Sequence, residues 1–266
     1  MKSFLNLACG KSYINSPEWT NMDYSGDANI LHVNLLKPIP LEDESVDFIY
    51  CSHFIEHLTK KQLREFMKEC FRVLKKGGIL RLVTPDFDEI IKAYISNYEN
   101  KNINQSNFIK LELLDQLVRK NPGGELYTFY QNSSKTVSDE FVYSRTGELI
   151  NNNENQNKSK LSLKKIYKKI LRSFSLLYIK IICYLLPQAF RNSNVSFADV
   201  GELHHWVWSD YELIDFLISC GFKNCHSTSF DQSSSNHFKN NYLNQLDVLN
   251  NFPRKGNESM YIEGFK

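Results

Sequence analysis

At 266 residues, with 42% hydrophobic and 23% charged side chains, the chain has room for one sizeable core and the composition of a folded globular protein, which excludes wholesale disorder. A formal net charge of +2 argues against a general nucleic-acid binder, and no nucleic-acid partner is expected. That average hides an asymmetry: nine Lys or Arg and no Asp or Glu fall between residues 155 and 198, leaving the remainder net acidic.

The six cysteines (Cys9, Cys51, Cys70, Cys183, Cys220 and Cys225) are scattered and include no Cys-x-x-Cys pair, so reduced thiols in a cytoplasmic protein are the expectation. The apolar run at the amino terminus is broken by Asn6 and is too short for a secretory signal.

Residues 3–8 read as a strand running into a turn over 8–12, Asn21-Met22-Asp23 as the end of a second strand, and residues 30–35 as a third. Residues 46–51 are short, apolar and bounded by polar turns, the pattern of a buried strand. Over 59–75, Leu63, Phe66, Met67, Cys70, Phe71 and Leu74 share one helical face; Thr59 caps the start, and Lys75-Lys76-Gly77-Gly78 is a stop. Residues 79–83 form the next strand, ended by Thr84-Pro85-Asp86. A helix capped by Ser209 or Asp210 runs to Cys220 and Gly221, and residues 223–230 and 259–265 finish as strands. Strands alternating with helices predict an α/β fold whose sheet is largely parallel and covered on both faces.

The middle of the chain is different. Residues 98–105 are polar, and residues 150–160 form an Asn-rich low-complexity loop. Residues 161–186 then set an apolar stripe (including Leu163, Ile166, Ile170, Phe174, Leu177 and Ile181) against Lys164, Lys165, Lys168 and Arg172. That is the pattern of a helix lying on an anionic membrane surface, which would place the protein peripherally at the inner face of the membrane. A lid or dimer helix is the competing expectation, and the apolar run is too short to span a bilayer. The chain thus divides into a core over 1–97, an inserted segment over 98–200, and the rest of the core over 201–266.

In a doubly wound sheet, ligands bind beyond the carboxyl ends of the strands, where the strand order reverses. Ala8-Cys9-Gly10 supplies small residues there, letting the backbone approach a ligand and offer it N–H groups; an ordinary tight turn is the alternative. Asp23, ending the second strand, is placed to accept both hydroxyls of a ribose. A nicotinamide dehydrogenase is disfavoured, because no G-x-G-x-x-G occurs and the loop-to-acid spacing is too short.

Leu5-Asn6-Leu7-Ala8-Cys9-Gly10 followed by Asn21-Met22-Asp23 resembles the first two motifs of methyltransferases dependent on S-adenosylmethionine (SAM). The run from Ser45 to Leu58, and the one from Phe71 to Phe87, resemble the motifs that follow. More narrowly, the chain resembles the predicted type 11-like methyltransferases associated with bacterial surface-polysaccharide biosynthesis, through His204-His205-Trp206, Gly221-Phe222 and Glu258-Ser259-Met260-Tyr261.

The resemblance implies a Rossmann-like class I methyltransferase sheet, mostly parallel with an antiparallel C-terminal strand, plus a mainly helical insertion. It also implies SAM as cofactor and O-methylation of a sugar in a surface polysaccharide or its lipid-linked precursor, so a glycan or small-molecule acceptor is the expected partner. It sets Asn6, Ala8, Gly10 and Asp23 on the methionine and ribose side, Asn34 and Leu35 near adenine, and Ser52 and His53 at the closing edge; for Leu35, core packing is the alternative. Asn6, Ala8 and Asn34 depart from the family pattern, and the stretch from Gly10 to Asp23 is too short for the usual helix. These departures favour a second reading, a non-catalytic degenerate fold that binds a glycan or partner.

A sugar hydroxyl attacks a methyl group only when a base takes its proton, and His is the usual base near neutral pH. His53, Glu56, His57 and His204 are the catalytic candidates, with His53 or His57 as base and Glu56 orienting it. His53-x-x-Glu56-His57 also resembles the Glu-x-x-Glu-His metal motif of some RNA-tail methyltransferases, so a reading of His53, Glu56, His57 and His204 as ligands of a divalent metal that holds a vicinal diol stands beside this one. So does a plain helix-capping role for Glu56-His57, and no metal is assigned. Asp86 reads as an acceptor contact or a helix N-cap, and Trp206 and Trp208 as a sugar-stacking pair or as core.

Overall fold

A computed structural model describes residues 2–26, 28–131, 136–147, 177–179, 181–196 and 201–266. Its main sheet contains β1 (Phe4–Leu7), β2 (Trp19–Asp23), β3 (Leu31–His32), β4 (Val46–Ser52), β5 (Leu74–Pro85), β6 (Lys223–Thr228) and β9 (Ser259–Phe265), in the order β3-β2-β1-β4-β5-β9-β6. β7 (Val248–Leu249) and β8 (Phe252–Pro253) form a separate small hairpin. β1 to β5 are mutually parallel, and β9 runs antiparallel to both its neighbours, as expected for the Rossmann-like methyltransferase topology. The chain steps outward from β1 to β3 and then returns to β4 on β1's other side. The reversal opens a crevice at the carboxyl ends of β1 and β4.

α1 (Lys60–Val73) buries Leu63, Phe66, Met67, Cys70 and Val73 as one stripe, and its start is fixed by a capping box between Thr59 and Gln62. With α7 (Asp210–Ser219) it covers the sheet face made by Leu5, Leu7, Ile49, Cys51, Leu80, Leu82 and Ile262. The opposite face, with Phe4, Phe48, Ile79 and Tyr261, lies under α8 (Asn236–Asn241) and α9 (Leu243–Leu246) through Phe238, Tyr242 and Leu243.

Two expected boundaries move. The third strand shrinks to Leu31–His32 because Asn34 turns the chain: its side-chain oxygen accepts from the Leu36 N–H and its carbonyl from the Lys37 N–H. Lys75-Lys76-Gly77-Gly78 does stop α1, but β5 begins at once at Leu74 and absorbs these residues as an irregularity opposite Val46–Phe48. Gly78 is needed there, since a Cβ would lie 2.8 Å from the Lys75 carbonyl.

One polar row crosses the second sheet face in register: Asn21, Asn6, Tyr50, Arg81, Glu263 and His226 on neighbouring strands. Arg81 is fully buried and donates to Asp247 at 2.8 Å and Glu263 at 2.9 Å, while Tyr50 donates to Asp247 at 2.6 Å. Ser233 and the Ser234 N–H complete the shell of Glu263.

Between β5 and α7 lie α2 (Phe87–Glu99), α3 (Ile103–Val118), α4 (Gly124–Gln131), α5 (Asp139–Thr146) and α6 (Gln188–Asn194). The polar tract at 98–105 holds the turn between α2 and α3. Phe108, Tyr130, Val137 and Val142 make a small core of their own, and Arg145 on α5 bridges Glu112 and Glu258 at 2.9 and 2.7 Å. The Asn-rich loop and most of the basic helix predicted over 161–186 lie outside the described residues. Residues 177–179 and 181–185 are helical, with Leu177, Tyr178, Ile181, Ile182, Tyr184 and Leu185 exposed. No described helix is long and apolar enough to cross a membrane.

Candidate functional site

Because Leu7 pairs with Cys51, the loops after β1 and β4 leave the sheet side by side. Both turn through left-handed backbone at non-glycine residues, Ala8 at φ 52° and His53 at φ 50°, and Gly10 follows at 51°. Such conformations cost about 1–3 kcal/mol at non-glycine residues and concentrate at functional sites. The Gly10 N–H donates to one oxygen of Asp23 at 3.0 Å, so the small-residue bend and the carboxylate converge on one place. The other Asp23 oxygen accepts from the Ser25 N–H and hydroxyl. Burial works against the charge of Asp23, but the Ser25 and Gly10 hydrogen bonds outweigh it and hold the carboxyl below the ordinary Asp value. A Cβ on Gly10 would meet nothing within 4 Å, so the bend faces open space.

Asn6 does not line this space. It is buried, and its amide donates to the Ser12 carbonyl and to Asn21, which in turn clasps Ile14 through both backbone groups. This Asn pair holds the loop where a helix would otherwise support it. Leu35 belongs to the apolar core, and the side-chain oxygen of Asn34 serves its own turn. Ser52 sits half-buried at the end of β4.

Beyond β4, a three-residue 3₁₀ turn (Ile55–His57) carries the second cluster. His53 lies between Glu56, 3.2 Å from Nδ1, and the Ser259 hydroxyl, 3.2 Å from Nε2. Glu56 is fully buried; its other oxygen accepts from Thr84, and its backbone carbonyl accepts from the N–H groups of His205 and Trp206, tying the 201–208 segment to the turn. Burial would raise the Glu56 carboxyl, yet the His53 hydrogen bond and the charges of His53, His57 and His204 hold it down at about 2. His57 donates from Nδ1 to the Leu203 carbonyl at 3.1 Å, and its ring meets that of His204 edge to face, with centroids 4.7 Å apart. Burial pushes His204 down to about 4 against the pull of Glu56, leaving this ring neutral near pH 7.

These residues line a cleft of about 340 Å³ together with Gln116, Arg119, Glu202, Lys255 and Glu258. The four catalytic candidates are therefore neighbours. Thr84 and Ser259, which complete the His53–Glu56 pair, have no role in the sequence reading; the Glu-Ser-x-Tyr element was the one signal pointing at Ser259. Asp86 accepts from the Asp88 and Glu89 N–H groups as the N-cap of α2. Trp208 is core, and Trp206 is covered by the Lys60 ammonium at 3.8 Å from its ring centroid while its indole N–H donates to Glu212, so the two do not form an open stacking platform.

Residues 12–82 match the family model described as a methyltransferase domain. Over 58 residues, 22% of this chain, the sequence is 43% identical to a probable S-adenosylmethionine-dependent methyltransferase of Mycolicibacterium smegmatis, and the match spans 21% of that curated relative's length. A SAM-dependent methyltransferase structure from Thermotoga maritima is 13% identical, with all of this chain and 82% of that one covered, at a TM-score of 0.43. One from Methanosarcina mazei is 14% identical, with 99% and 92% covered, at 0.40. The cofactor that the matched family implies is S-adenosylmethionine, and the crevice fits it: an open bend of small residues beside an ionised carboxylate with free lone pairs.

Proposed function

We propose that the chain is a SAM-dependent methyltransferase that O-methylates a sugar hydroxyl of a surface polysaccharide or its lipid-linked precursor. The observation that carries this reading is the direct hydrogen bond from Gly10 to Asp23 at the reversal point of the sheet. Ala8 and Gly10 hold the methionine side, Asp23 the ribose, and residues after β3 the adenine end. When bound, the cofactor supplies an electrophilic methyl group on a sulfonium.

His53 is the base: Glu56 fixes its Nδ1 side, and Nε2 is the nitrogen that takes the hydroxyl proton, with Ser259 as its resting partner. The ionised Glu56 stabilises the imidazolium so formed. A cleft lined by Gln116, Arg119, Glu202, Lys255 and Glu258 suits an acceptor rich in hydroxyl groups. Asn6, the first departure from the family pattern, has a structural task and does not argue for a non-catalytic fold.

Asp23→Ala tests the cofactor assignment. Losing charge-assisted hydrogen bonds worth about 1.5–3 kcal/mol each should weaken SAM binding from about tenfold to a few hundredfold in isothermal titration. Unchanged affinity would remove the assignment.

A cytoplasmic protein resting on the inner membrane face completes the reading. It is supported by the exposed apolar residues between 177 and 185 and by the acid-free basic run around them. Co-sedimentation should be strong with anionic liposomes and weak with neutral ones; equal failure with both would end this part.

A further inference from the structure

Among the described residues, five carboxylates are buried: Glu56, Glu112, Asp115, Asp247 and Glu263. Four of them lie against an arginine: Glu112 on Arg145, Asp115 on Arg119, and Asp247 and Glu263 on Arg81. Glu56 is the exception. Its one ion-pair neighbour is the partly exposed His53, and its Oε1 lacks a well-aligned donor. A buried carboxylate with only imidazoles around it is poorly compensated next to one paired with arginine, and a cation seated beside it would be strongly favoured.

Two imidazoles stand where that cation would sit. Ligand atoms of Glu56, His57 and His204 all lie within 4.8 Å of one another. His57 donates from Nδ1 to the Leu203 carbonyl, so Nε2 is the nitrogen left for a ligand, the outer-shell arrangement usual for metal-bound histidines. His204 donates its backbone N–H to the Gln116 carbonyl, is 8% exposed, and packs its ring edge to face against His57 at the cleft wall. Metal bonds of about 2.0–2.2 Å need these atoms to close by on the order of an ångström, within the reach of side-chain adjustment.

We propose that Glu56, His57 and His204 form a binding site for one divalent transition-metal ion, with open positions toward the cleft. Two imidazoles and a carboxylate suit Zn²⁺, Mn²⁺, Fe²⁺ or Co²⁺ and disfavour Ca²⁺ and Mg²⁺. Resting on the methyltransferase reading above, the open positions take hydroxyl oxygens of the acceptor, preferably two on adjacent carbons. An oxygen bound there loses its proton more readily to His53, whose Nδ1 shares Glu56 with the ion. The metal thereby selects acceptors with neighbouring hydroxyl groups.

The test uses the full chain, stripped with EDTA and titrated with Co²⁺ alone, with neither cofactor nor acceptor present. One equivalent should bind and give a visible ligand-field band. His204→Ala and Glu56→Gln should each weaken binding by more than about 100-fold, beyond the loss of an outer-shell partner. His53→Gln should keep the band. His204→Ala removes a ring with no side-chain hydrogen bond among those described, so it stands in if Glu56→Gln fails to fold, as judged by circular dichroism. No band in the wild type, or an unchanged band in folded His204→Ala, overturns the site. SAM titration of the same samples keeps the two readings apart. Cofactor binding without cobalt binding removes the metal site alone, whereas cobalt binding without cofactor binding keeps the site and removes the enzyme.

Discussion

His53→Gln should lower kcat by about 10²–10⁴-fold while SAM affinity stays within about twofold. Glutamine is the informative replacement because its amide can reach Glu56 from the same side, whereas alanine would also strip that buried carboxylate of its ion-pair neighbour. What glutamine cannot do is carry a proton away from the acceptor. Single-turnover measurements should show the loss in the chemical step, with the acceptor's KM little changed. A His53→Gln enzyme retaining more than a tenth of wild-type kcat would exclude His53 as the base.

Arg81→Met should cost about 3–5 kcal/mol of stability, a fall in Tm of roughly 6–20 °C, because two buried carboxylates lose one shared counter-ion. The loss has a pH signature. Burial presses both carboxyls upward; Asp247 stays above the usual range even beside Arg81, while Glu263 is held below it by Arg81 with Ser233 and Ser234. Without Arg81 both folded-state values rise above the unfolded ones, so the native state binds more protons than the unfolded chain. Stability of the variant is then greatest below the unfolded pKa near 4 and falls as pH rises toward the folded values. Thermal melts at pH 5 and pH 8 should show the larger deficit at pH 8; an equal deficit would mean the carboxylates are not the cause.

Much of the architecture is legible in the residues. The apolar runs at 46–51 and 79–83 are bounded by polar turns, and α1 announces itself through its stripe and its Thr59 cap. Local pattern fails where a side chain makes the decision: Asn34 cuts β3 short, and that preference looks the same in a list of residues as a cofactor contact would. Asn6 is misread for the same reason, since its partner Asn21 is adjacent only through strand pairing. Ala8, Gly10 and Asp23 converge because β1 and β2 pair in parallel register, which sets their carboxyl ends side by side. The His–Glu cluster was visible as spacing for His53, Glu56 and His57, but Ser259 and Thr84 join it through tertiary contacts that spacing does not encode. The absence of an arginine beside Glu56 is likewise a fact about burial.

The antiparallel placement of β9 has a consequence for biosynthesis. This strand fills the gap between β5 and β6, and the His53–Ser259 contact joins residues 206 positions apart. On the ribosome, β1 to β5 emerge early, with one edge of β5 unsatisfied until residues 259–265 have been translated. The nascent half-sheet is therefore a species that chaperones or other strands can capture, and ordering of the His53 environment waits until Ser259 has been made.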